Sequence, residues 1–191
     1  MTGNLAERRG AETAVYQPAE DSGLLARAAS ERLGPDERVL EVGCGSGYVA
    51  AEVAATGANV VASDLNPHAC REAADRGLQT VRADLVSPFV SGAFDAVLFN
   101  PPYLPADPDA ERDDWMEVAL TGGESGRAVI DPFLDSVGRV LAPDGRVFLL
   151  VSSLTGVEEV TERAGENGFS AAARAEESFP FETLSVLELW R

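Results

Sequence analysis

The chain has 191 residues, 45% of them hydrophobic, enough for one substantial core and a single domain over 1–191. No stretch reaches the roughly 18–20 apolar residues of a membrane span. The start MTGNLAERRGAET lacks a signal-peptide core, and Cys44 and Cys70 form neither a metal-ligand spacing nor a disulfide framework, so a cytoplasmic protein with no metal and no membrane contact is expected. The net charge of −17 comes from 32 acidic residues against 15 basic ones, all arginine; it fits a basic partner, or a halophilic cytoplasm where a Debye length of about 3 Å at 1 M screens self-repulsion.

Residues 1–14 read as a flexible leader. EDSGLLARAASERL (20–33) then carries Leu24, Leu25, Ala28 and Leu33 at helical spacing, with Ser22 near its start. Strands follow in RVLEVG (38–43), NVVASD (59–64), TVRADL (80–85) and DAVLFN (95–100), separated by alanine-rich helical stretches. His68, the only histidine, falls at a helix start and is expected on the surface. SGRAVIDPFLDSVGRVL (125–141) spaces Ile130, Phe133, Leu134, Val137 and Leu141 by threes and fours, and Pro132 should kink that helix or occupy its first turn. After the turn APDG come RVFLLV (146–151) and two strands, near 169–178 and 184–190, joined only by a short link. Alternating β and α units predict an α/β fold with a parallel sheet, and the final pair predicts an antiparallel hairpin. Together they point to the Rossmann-like, seven-stranded sheet of class I methyltransferases. A dehydrogenase would continue into another parallel half or a second domain.

VLEVGCGSGYVA (39–50) is a strand, a glycine-rich turn and a helix start. Such a turn can present main-chain N–H groups to a ligand, but its GxGxG spacing lacks the last glycine of the dinucleotide fingerprint. Gly43 and Gly45 allow close backbone approach. Glu41 stands beside the turn, Asp64 ends the second strand about 20 residues on, as a ribose-binding carboxylate would, and Asp84 lies at the end of the third. Each alone could be a solvated strand-end acid. In register at the carboxyl edge of a sheet, they predict a nucleoside site, and the missing glycine favours S-adenosylmethionine over a dinucleotide.

The fourth strand ends in NPPY (100–103). Methyl transfer is an in-line displacement, so a planar nitrogen must be held with its lone pair on the S–CH3 axis. Two acceptors do this: the Asn100 side-chain oxygen and a main-chain carbonyl, that of Pro101 being best placed. Accepting both hydrogens also favours the charge that develops on nitrogen. Pro101 and Pro102 stiffen the loop and add no N–H donors, and Tyr103 offers a flat face to a planar group. No general base is evident, which suits a proton leaving to water after transfer. A proline-rich turn with a packed aromatic is the structural alternative.

These residues resemble the amino-methyltransferases that carry NPPY. VYQPAEDSGLLARA (15–28), GGESGRAVIDPFL (122–134) and ETLSVLEL (182–189) are similar to segments of the HemK-type release-factor glutamine methyltransferases, in their short archaeal and eukaryotic branch, from about Val15 to the C-terminus. The bacterial branch has an N-terminal helical domain, not expected here with fourteen residues before the match. The resemblance implies methylation of the glutamine side-chain amide in the GGQ motif of the class I peptide-release factor. It implies a donor site of Tyr16, Ser22, Glu41, Gly43, Gly45, Asp64, Asp84, Leu85 and Asn100, with Asn100, Pro101, Pro102 and Tyr103 holding the glutamine. Ser22 replaces the threonine common in the family and keeps the hydroxyl. A small zinc-binding activator subunit is also implied, and the third strand should be a sheet edge open to a partner. The rival is an adenine-amino methyltransferase acting on DNA or RNA. That reaction calls for base flipping and a basic groove, whereas ADPDAERDDW (106–115), just after NPPY, is acidic; nucleic acid is therefore not the expected substrate. A non-catalytic donor-binding scaffold would not need an intact NPPY.

Overall fold

The computed structural model describes residues 15–104 and 119–191. The leader 1–14 and the acidic loop 106–115 lie outside the described residues. In chain order the elements are α1 (Glu20–Ser30), β1 (Arg38–Val42), α2 (Tyr48–Ala54), β2 (Asn59–Asp64), α3 (Pro67–Asp75), β3 (Gln79–Arg82) and β4 (Phe94–Phe99). They continue with α4 (Ile130–Val137), β5 (Leu141–Ser152), a single 3-10 turn, α5 (Val157–Glu166), β6 (Ser170–Ser178) and β7 (Thr183–Trp190). The seven strands form one sheet in the order β3-β2-β1-β4-β5-β7-β6. β7 runs antiparallel to both β5 and β6, and the other pairings are parallel. This is the expected sheet, with β3 at one edge.

Period-two alternation fills both faces. In β4, Ala96 and Leu98 join Phe148 and Leu150 of β5 in a cluster with Leu24 and Leu25 of α1 and Val49 and Val53 of α2. Val97 and Phe99 point the other way, with Val147 and Leu149, onto Ile130, Phe133, Leu134 and Val137 of α4 and Val160 of α5. The Phe99 and Phe133 rings meet with centroids 4.5 Å apart. Burying each such side chain is worth about 1.5–3 kcal/mol, so the end of β4 is held firmly from below.

Several boundaries differ from expectation. α1 stops at Ser30, with the backbone amide of Leu33 still bonded to Ala29 O at 2.9 Å; Leu33 is buried beyond the helix. α4 spans only Ile130–Val137, with Pro132 in its first turn, where its missing N–H costs nothing. Leu141 is therefore the first residue of β5, not the last of the helix. β5 pairs Leu141 with Phe94 and then Arg146 with Ala96, so APDG, expected as a turn before the strand, lies within β5 as a bulge. β3 ends at Arg82 rather than at 85, because the chain turns there, with Ser87 N bonded to Asp84 O at 3.1 Å and Leu85 at a φ of 48°.

Candidate active site

Strand order reverses between β1 and β4, and ligands of doubly wound sheets bind at such a switch point, beyond the carboxyl ends of the strands. A cavity opens there, and every residue predicted for the donor or acceptor site lies on its wall.

The glycine turn follows β1. Cys44 N bonds Ser63 O at 2.9 Å and Gly47 N bonds Cys44 O at 2.8 Å, pinning the turn to β2. Gly47 caps α2 at a φ of 79°. A Cβ there would come within 2.9 Å of both Ala73 and Leu78, so this glycine lets α3 and the following loop pack against the turn. At Gly45 a Cβ would lie 3.1 Å from the Tyr16 carbonyl oxygen. The segment before α1 thus crosses directly over the turn.

The three acids hold different stations. Glu41 is 3% exposed, sits one residue inside the end of β1 rather than at it, and accepts the Ala50 N–H with Oε2 at 2.8 Å. It thereby satisfies a free N–H of the first turn of α2. Burial drives its carboxyl well above the ordinary 4.5; the Ala50 bond opposes that shift and the charge of Asp64 adds to it. Asp64, at the end of β2, accepts Gly45 N with Oδ2 at 2.9 Å and Asn66 N with Oδ1 at 2.8 Å. Burial raises its pKa, while the backbone amides of Asn66, Gly45 and Leu65 pull it back. With three backbone amides on its two oxygens, it keeps lone-pair capacity for one further donor such as a hydroxyl. Asp84 is exposed and sits in the turn two residues past the end of β3. Beside it Leu85 holds a left-handed conformation that costs a side-chain-bearing residue roughly 1–2 kcal/mol.

On the acceptor side, Asn100 is the first residue beyond β4. Its Oδ1 is buried and has no hydrogen-bond donor among the described residues. An unsatisfied buried acceptor costs about 1–3 kcal/mol, a deficit that a ligand N–H would relieve. Phe99 sits beneath it, with its ring 3.4 Å from where a Gly43 Cβ would be. Pro101 and Pro102 line the cavity. Tyr103 also borders it but is 3% exposed and packs in the core cluster with α1 and α2. Its hydroxyl reaches Asp21 Oδ2 at 3.5 Å.

Asp21 is the residue that sequence reasoning missed. It is buried on the cavity wall, and Tyr16 donates to its Oδ2 at 2.7 Å. In the sequence it reads only as an acid in the first turn of a helix, a common solvated position. The neighbouring Ser22 is buried too, with Oγ 3.3 Å from Asp21 Oδ1. His68 is exposed, as expected, and its backbone N–H bonds the capping Asn66 side chain at 2.9 Å. Cys44 is buried on the cavity wall; burial pushes its thiol far up, so it is protonated and no nucleophile. No group of His, Cys, Asp and Glu suited to a metal occurs among the described residues. None of their helices is long and apolar enough to cross a membrane.

These features fit a nucleoside with an amino-acid tail: an open backbone turn, carboxylates for hydroxyl and amino groups, and an orphaned oxygen at the far end. Comparison with known proteins shows the family. A family model described as a methyltransferase domain matches residues 39–123. The chain is 37% identical over 184 residues to a putative protein N5-glutamine methyltransferase of Methanocaldococcus jannaschii, covering 93% of this chain and 92% of that one. It is 34% identical over 195 residues to the human methyltransferase HEMK2, covering 94% and 91%. The solved Mtq2-Trm112 complex of E. cuniculi, described as responsible for methylation of the eRF1 translation termination factor, matches with a TM-score of 0.80 and 30% identity. That match covers 94% of this chain and 99% of the other. With an intact acceptor loop and near-complete overlap with these relatives, the chain belongs to the protein N5-glutamine methyltransferases of the HEMK2 and Mtq2 type.

Proposed function

We propose that this methyltransferase transfers a methyl group from S-adenosylmethionine to the side-chain amide nitrogen of the GGQ glutamine of the class I peptide-release factor. The observation that carries this reading is the Asn100 Oδ1, buried on the cavity wall without a donor. A carboxamide NH2 supplies the missing N–H. A second acceptor, the Pro101 carbonyl, takes the other hydrogen, and two acceptors fix the plane of the amide.

When bound, S-adenosylmethionine supplies an electrophilic methyl group on a sulfonium. Asp64 and Asp84 are assigned to its ribose and adenine, and Glu41, Ser22 and the glycine turn to its amino-acid end. Asp64 arrives already oriented by Gly45 and Asn66, so little order is lost on binding. Asn100 and Pro101 lower the barrier by favouring the cationic nitrogen over the neutral amide. Tyr103, packed on its outer side and tied to Asp21, bounds the slot for the planar amide. The nitrogen's proton leaves to solvent; no histidine lines the cavity among the described residues.

A small activator subunit, bound at the β3 edge and carrying zinc of its own, completes the cytoplasmic, single-domain enzyme we envisage. The E. cuniculi complex supports that partner. The test is labelled donor incubated with release factor or with adenine-containing oligonucleotides, with and without the activator. Label on release factor, lost when its GGQ glutamine is changed, supports the assignment; label confined to the oligonucleotide refutes it.

A further inference from the structure

Two separate parts of the molecule converge on the Asp21 carboxylate. It is 2% exposed in the first turn of α1. Its Oδ1 accepts Ser22 N at 2.6 Å and Ser22 Oγ at 3.3 Å. Its Oδ2 accepts the Tyr16 hydroxyl at 2.7 Å and the Tyr103 hydroxyl at 3.5 Å. In both of these contacts the phenol hydroxyl donates and the carboxylate oxygen accepts. Tyr16 belongs to the strap, residues 15–18, that lies over the glycine turn of the donor site. The strap is tied down again where Gln17 Nε2 meets Glu72 of α3 at 3.4 Å. Tyr103 closes the acceptor loop.

We infer that Asp21 is a positioning residue that joins the donor strap to the acceptor loop, so that residues 100–103 hold their reactive geometry only while the strap lies across the glycine turn. The inference rests on the methyl-transfer reading above. Donor that orders the strap then also orders the acceptor slot, and by linkage acceptor tightens donor to the same degree.

The experiment measures kcat and acceptor KM at saturating donor, and donor affinity by calorimetry. The variants are Asp21→Asn, Tyr16→Phe, Tyr103→Phe and the double Phe variant, with Leu24→Ala as a control for lost stability on the same helix. Tyr16→Phe, although on the donor side, should lower kcat/KM for the acceptor about tenfold at saturating donor. The double variant should be no worse than the worse single, because both cut one link. Asp21→Asn should fall at least as far, while Leu24→Ala leaves kcat within about twofold. Multiplicative effects of the two Phe variants, or a Tyr16→Phe defect confined to donor affinity, would overturn the inference. Wild-type enzyme that methylates no glutamine acceptor would instead sink the methyl-transfer reading itself, a result visible before any variant is made.

Discussion

The Asn100 Oδ1 atom and the Glu41 carboxyl are both buried near strand ends, and the fold treats them oppositely. Asn100 Oδ1 has no donor among the described residues, and in the proposed reaction it accepts the substrate N–H. Asn100→Ala should therefore lower transfer by about 100-fold or more while donor affinity, read by calorimetry, stays within about threefold. Glu41 is committed to the Ala50 N–H, and its raised pKa has a consequence for stability. From 4.5 up to its raised value the folded chain holds a proton that the unfolded chain has lost, so stability falls as pH climbs through that window. Glu41→Gln keeps an acceptor for Ala50 and removes the titration. Its melting temperature should decline less than wild type as pH rises above 4.5; an equal decline would show that the Glu41 proton contributes nothing to stability. The sequence exposed both residues because each sits beside a distinctive motif. It hid Asp21, since nothing in AED distinguishes a buried carboxylate receiving two phenols from an ordinary first-turn acid.

At the scale of elements, β3 has one neighbour among the described residues, β2, which leaves an edge of the kind another strand can join. Addition of the activator subunit should slow hydrogen exchange of amides within Gln79–Arg82, with β6, the opposite edge, unchanged. Protection at β6 alone would move the partner to the other side of the sheet. Most strands were legible in the sequence because short apolar runs containing valine lie between alanine-rich stretches, and the short link before β7 forced the hairpin. Helix ends were less legible. α4 is shorter than its apolar spacing suggests, because Leu141 serves the sheet and the spacing alone cannot tell a helix position from the strand residue that follows. The third strand was drawn too long for a related reason: Leu85 turns the chain through a left-handed backbone that leucine rarely adopts, and no sequence pattern announces it.

At the scale of the molecule, a net charge of −17 without lysine makes self-repulsion a standing cost at low ionic strength. Among the described residues the ion pairs, such as Arg38–Asp95 and Arg163–Asp135, are mostly exposed and contribute little. Screening of the general repulsion should therefore outweigh their loss, and the melting temperature should rise as sodium chloride increases from about 0.1 to 1 M; a fall would mean that specific pairs dominate. The same acidity disfavours a nucleic-acid substrate at low salt and leaves a protein acceptor as the consistent partner. The architecture places a donor turn, a carboxylate link and an acceptor loop around one cavity, and the account stands on the orientation of a single amide oxygen. A crystal structure of the enzyme with demethylated donor and a GGQ peptide tests it most directly. The glutamine nitrogen should lie within about 3 Å of Asn100 Oδ1 and face the donor sulfur. A glutamine side chain elsewhere, with Oδ1 still without a donor, would contradict it.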